Sequence, residues 1–156
     1  MKFLRRFAKN RNGWNLGENV KVRPKIWNLI PWVSNYTAQA IYPNIYFSEK
    51  VYEKLSSLDP DSKYVAALIH EQTHIERQKR LGWIKWGVRY VFSPKFRFNE
   101  ELEAIKVSMK YLKRKRIGFD FEKKAKILSG WLYFWPVLYK FAKKELEKAW
   151  KEIQLD

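Results

Sequence analysis

A clear helical rhythm lies between about residue 61 and Gly82. Val65, Leu68, Gln72 and Ile75 follow one helical spacing, and Ala66, Ile69 and Thr73 follow a second beside it. The pattern predicts a helix that starts near Asp61 or Ser62 and stops at Gly82, a residue suited to the turn that ends a helix. Beyond it, residues 83–92 are aromatic and read as a packed helix, and 93–99 as a loop. Asn99 is then the expected N-cap of a helix from Glu100 to about Arg116, with acidic residues in the first turn, where the dipole favours them. Gly118 closes that helix, Asp120 caps the next, and residues 121–152 are helical with a break or kink at Pro136.

Upstream the period changes. Residues 10–24 carry Asn, Gly and charge and read as irregular chain. From 25 to 47 the composition turns β-branched and aromatic, interrupted by Pro31 and Pro43. Stretches 32–38 and 39–42 read as strand, and 45–47 as another strand after a turn at Pro43-Asn44. Ser48 caps a short helix over 49–55, which ends before Asp59-Pro60-Asp61. The expectation is one α+β domain: a basic irregular arm (1–24), a core (25–116) and a helical extension (117–156). At 156 residues the chain can build a core without staples.

Composition narrows the chemistry. Cysteine is absent, which excludes a disulfide framework and a thiolate metal site. Thirty-two Lys and Arg against 16 Asp and Glu leave a net charge of +16. Such a field attracts nucleic acid, anionic membrane surfaces or acidic partners and says nothing about fold. Residues 1–9 form a short basic amphipathic arm without an apolar stretch of signal-peptide length. The longest apolar run, 127–139, is too short to span a bilayer as a helix. A cytoplasmic protein, with peripheral membrane contact as its variant, is the expectation.

Both histidines of the chain fall in His70-Glu71-Gln72-Thr73-His74. Residues four apart share a helix face, so the two imidazoles can grip one metal ion, with Glu71 beside them as a general base. Two randomly placed histidines take this spacing in about one of 80 placements, before the glutamate is required. Two histidines leave a catalytic zinc one protein ligand short. With no cysteine and no third histidine, a carboxylate must complete the set, and the nearest downstream cluster is Glu100-Glu101-Leu102-Glu103-Ala104.

The pair of motifs resembles the gluzincin pattern, H-E-x-x-H followed by E-x-x-A, here Glu101-Leu102-Glu103-Ala104. The short length and the strands ahead of the motif are most similar to the minimal gluzincins (minigluzincins) and small phage or archaeal HExxH proteins. The resemblance covers roughly residues 30–110. It implies a minimal zincin-like domain, a short sheet on the HExxH helix and a glutamate helix, with residues 117–156 as an extension. It also implies Zn2+ held by His70, His74 and Glu101, with Glu100 and Glu103 as rivals for the third position. The implied activity is hydrolysis of peptide bonds in a peptide or protein substrate. Glu71 would assist the attack of a water carried by the metal. The substrate strand would lie along the 32–47 region, with Tyr90, Arg89 or Arg97 as candidate oxyanion or substrate contacts. Ile105 stands where the family has an aspartate after the E-x-x-A alanine, which removes a carboxylate from the outer shell.

Two features invite other readings. Residues 127–139 are aromatic and flanked by Lys123, Lys124, Lys126, Lys140, Lys143 and Lys144. This is a kinked helix pair packed on the core, an interfacial membrane helix, or a regulatory tail. Lys110-Tyr111-Leu112-Lys113-Arg114-Lys115-Arg116 is the most basic element for a nucleic-acid reading, in which an inactive zincin-like protein serves as a binding module.

Overall fold

The computed structural model describes residues 9–10, 13–14, 16–29, 38–130 and 137–153. Among them are six α-helices, a three-stranded sheet and a short two-stranded ribbon, an α+β composition. The expected arm residues 1–8, the strand expected over 32–37 and the aromatic stretch 131–136 lie outside the described residues. Backbone contacts group into two compact units, 1–79 and 80–156.

In the first unit, strands β1 (Lys9–Asn10) and β2 (Gly13–Trp14) form the antiparallel ribbon. Strand β3 (Val20–Val22), a 3-10 helix (Lys25–Leu29), β4 (Gln39–Ile41) and β5 (Asn44–Phe47) follow. The central strand β5 runs parallel to β3, with Val20 opposite Ile45 and Val22 opposite Phe47. It runs antiparallel to β4, with Ala40 opposite Ile45 and Ile41 opposite Asn44. Side chains alternate across a strand, so Ile45 and Phe47 share one face and are buried, while Asn44 and Tyr46 share the other. Trp27 of the 3-10 helix packs on Tyr46, ring centroids 4.9 Å apart.

Helix α1 (Glu49–Ser56) lies against β3 and buries Leu55. It starts after Ser48, as expected, but the Ser48 hydroxyl makes no capping bond. Helix α2 (Ser62–Leu81) has the expected limits. Asp61 caps it, its carboxylate accepting from Lys63 N at 2.8 Å and its carbonyl from Tyr64 N at 2.9 Å. Gly82, at φ +81°, ends it in a conformation that favours glycine.

The second unit holds α3 (Trp83–Phe92), α4 (Pro94–Arg114), α5 (Phe121–Leu128) and α6 (Tyr139–Glu152). Helix α4 begins well before Asn99. Ser93 is its cap, accepting from Phe96 N at 3.3 Å, and Pro94 takes the first helical position, where its missing N–H costs nothing. Phe98, Leu102, Ile105 and Met109 form an apolar stripe on α4. It meets Ala125 and Leu128 of α5 and Ala142, Leu146 and Ala149 of α6. The small alanines let helices approach closely while the leucines fill the space between. Lys113 of α4 donates to the Trp150 and Ile153 carbonyls, at 3.0 and 2.8 Å, and so caps the end of α6. Asp120 caps α5 as expected, accepting from Lys123 N at 2.9 Å. The described part of the extension is thus a helix pair packed on α4, with Lys123, Lys126, Lys140 and Lys144 exposed.

Candidate metal centre

Four helical residues turn the chain by about 400°, so side chains at i and i+4 stand nearly above one another. His70 and His74 do so on the buried surface of α2, at 8 % and 5 % exposure. Their Nε2 atoms are 3.1 Å apart, and the rings meet edge to face at 84°. Two imidazole nitrogens about 2.05 Å from one ion, at a tetrahedral angle, stand about 3.3 Å apart. The observed spacing is close to that value. It is also the length of one N–H···N bond between a protonated and an unprotonated ring nitrogen. Thr73, between them in sequence, returns its hydroxyl to the Ile69 carbonyl at 2.9 Å, which keeps another buried polar group satisfied. Glu71 projects from the adjoining, half-buried flank of the helix.

The glutamates belong to α4, and the early start of that helix places Glu100 and Glu101 in its second turn. The first turn holds no acidic residue, contrary to the expected dipole pairing. Both carboxylates are interior, at 1 % and 2 % exposure. Helix α3 supplies a separate donor to each. Trp86 Nε1 donates to Glu100 Oε2 at 2.8 Å, and Tyr90 Oη donates to Glu101 Oε1 at 2.6 Å. Trp86 and Tyr90 are themselves i, i+4 neighbours, stacked with centroids 4.5 Å apart at 19°. Glu103 faces outward and bridges Lys106 at 2.8 Å. Of the three glutamates open in the sequence, Glu103 is a surface residue and the other two are buried.

The candidate substrate contacts have defined places. The Tyr90 hydroxyl is spent on Glu101. Arg97, buried, donates Nη1 to the carbonyls of Tyr90 (2.5 Å) and Val91 (3.0 Å), which satisfies the orphan groups at the end of α3. Arg89 stacks over Phe96, 4.5 Å from its centroid. Trp86 was not legible as a functional residue. The signal that could have found it is a pair of aromatics with polar tips, four apart, on the segment preceding Glu100-Glu101.

A further residue shapes the sheet edge. The buried Gln78 amide donates to Ala40 O at 2.8 Å and accepts from Tyr42 N at 2.9 Å. Gln78 thus ties α2 to the β4 backbone and to the turn that follows it. In the same unit, a cleft of about 380 Å³ is lined by Leu16, Glu18, Pro43, Ile45, Gln72 and Glu76. Gln72 and Glu76 lie on the side of α2 opposite the histidines, so this cleft is separate from the imidazole pair.

No protein-family profile matches the chain, and no curated protein or solved structure matches it either.

Proposed function

We propose that the chain is a zinc-dependent metallopeptidase of the gluzincin type, with His70, His74 and Glu101 as metal ligands and Glu71 as general base. The observation that carries this reading is the imidazole pair: two buried rings from adjoining turns, Nε2 atoms 3.1 Å apart, with a glutamate next in sequence to the first. The donor chemistry supports it. His70 and His74 are buried imidazoles on α2, and Glu101 is a buried carboxylate on α4. Two imidazoles and a carboxylate are the donor set of hydrolytic zinc. The Tyr90 bond to Glu101 is the kind of outer contact that orients a ligating carboxylate. The fold assignment that accompanies this function is a minimal zincin-like domain built on the sheet, α2 and α4, with α5 and α6 as its extension.

When bound, the ion polarises the scissile carbonyl and makes water more acidic. Glu71 does the proton work: a carboxylate oxygen takes a proton from the attacking water and hands it to the leaving amine nitrogen as the C–N bond breaks. His70 and His74 would hold the ion through Nε2, the atom that each turns toward the other. Gln78 bears on substrate, since a peptide strand reaches the β4 edge at Ala40 and Tyr42 only by displacing that amide.

The test is hydrolysis of a quenched-fluorescent peptide library by the zinc-supplied protein, beside Glu71→Gln and His74→Ala. Glu71→Gln is expected to keep its metal and lose about 100- to 10,000-fold in rate. His74→Ala is expected to lose both metal and activity. A folded, metal-free chain that binds nucleic acid with a steep salt dependence would instead support the binding-module reading.

A further inference from the structure

Helix α3 inverts the usual distribution of side chains. Trp83, Ile84, Val88, Val91 and Phe92 are exposed, from 54 % at Val88 to 80 % at Phe92. At 100° per residue these five, with Gly87, occupy one continuous half of the helix surface. Trp86 and Tyr90 form the inner edge that holds the two buried glutamates. Lys85 and Arg89, both exposed, follow directly after Phe92 around the helix. An apolar face of this width is not what a protein leaves in water without use.

The charge around it says what covers it. From Arg77 to Asn99 the chain carries seven Lys or Arg residues and no Asp or Glu. Arg80, Lys85, Arg89 and Lys95 are exposed. A second copy docking through the same face would bring like cations together in a chain of net charge +16. Nucleic acid would match the cations and leave the apolar half uncovered. An anionic lipid surface matches both, with apolar side chains at the acyl boundary, Trp83 at the headgroup level, and Lys and Arg on the phosphates. No described helix is long and apolar enough to cross a membrane, so α3 would lie in the interface.

We propose that α3, Trp83–Phe92, is an interfacial helix that docks the protein on anionic lipid bilayers. This assignment stands independently of the metal centre. It also puts the membrane contact on α3, whereas one of the three sequence readings put it on the aromatic stretch 127–139.

The test is co-sedimentation of the full chain with phosphatidylcholine vesicles, with and without about 30 % phosphatidylserine. Two double variants are compared: Val88→Asp with Val91→Asp, and Lys144→Glu with Lys151→Glu on exposed positions of α6. The first removes less positive charge than the second. The expected result is binding to the anionic vesicles that falls about tenfold or more in the α3 variant and much less in the α6 variant. Because Val88 and Val91 are more than half exposed, thermal melting should confirm an intact fold. Binding that follows net charge alone, weakening more in the α6 variant, overturns the proposal. So does an α3 variant that binds like the parent. A parent that ignores vesicles but forms a dimer dissociated by Val88→Asp with Val91→Asp overturns it in favour of a second copy.

Discussion

Helices α2 and α3 are consecutive, separated only by Gly82, and they break the same rule in opposite directions. Helix α2 buries His70, Thr73, His74 and Gln78, while α3 exposes Trp83, Ile84, Val88, Val91 and Phe92. Buried polar groups cost free energy unless something binds them, and a wide exposed apolar face costs free energy unless something covers it. The proposed partners of the two helices differ in kind. In the function proposed above, the polar set on α2 serves a cation and a sheet edge. The apolar set on α3 asks for a surface. Gln78 has found its partner in the β4 backbone, and Thr73 in its own helix. The imidazoles face each other with Nε2 atoms 3.1 Å apart, a spacing that an ion would also satisfy.

The comparison breaks most violently at the histidines. His70→Ala should abolish stoichiometric metal binding and reduce hydrolysis to background, read by equilibrium dialysis against zinc and by peptide cleavage. The α3 replacement Val88→Asp with Val91→Asp should leave metal binding and hydrolysis of a soluble peptide unchanged. A loss of either would show that the two helices do not have separate roles.

The inner edge of α3 sharpens the contrast, because its two donors serve neighbouring carboxylates. Trp86→Phe should destabilise the fold by about 1–3 kcal/mol in urea unfolding, since Glu100 loses a buried donor, without altering metal affinity. Tyr90→Phe should weaken zinc by about 10- to 100-fold in a chelator competition, since Glu101 loses the contact that orients it. Equal effects of both replacements on zinc would remove the distinction between Glu100 and Glu101.

The smallest effect belongs to the exposed contact among Glu122, Tyr139 and Lys143, which joins α5 to α6. Hydrogen bonds from Lys143 and then Tyr139 hold the Glu122 carboxyl below its ordinary value, and Glu122 raises both Lys143 and Tyr139. A lowered carboxyl stabilises the fold above its unfolded pKa and loses that contribution as pH falls through the folded one. The raised lysine contributes below its unfolded pKa and loses that contribution as pH rises through its folded value. Glu122→Gln should therefore lower Tm near neutral pH by only about a degree, and the deficit should vanish in acid and shrink in high salt.

Much of the helical frame was legible because its signals are local. Asp61 and Gly82 mark the ends of α2, and Asp120 marks the start of α5, through chemistry contained within a few residues. The start of α4 was misplaced because Glu100 and Glu101 imitate an acidic first turn, although Ser93-Pro94 carries the stronger start signal. Strand β3 was hidden inside a tract rich in Asn and Gly, since three residues make a strand only by pairing with β5, more than twenty positions away. At the candidate site, the histidine spacing was plain in the sequence. The donors on α3 were not, because which carboxylate meets Trp86 and which meets Tyr90 depends on how α3 and α4 pack. The exposed face of α3 was read as packed for a related reason: an aromatic run looks the same in sequence whether it is buried or awaits a partner.

The most direct measurement is the metal content of the chain, purified without a metal-affinity tag and analysed for elements beside His70→Ala and Glu101→Ala. The expected result is one zinc per chain in the parent and none in either variant, with both variants still folded. A folded parent that takes up no metal even when zinc is supplied at neutral pH would contradict the account, and would leave His70 and His74 as a hydrogen-bonded pair.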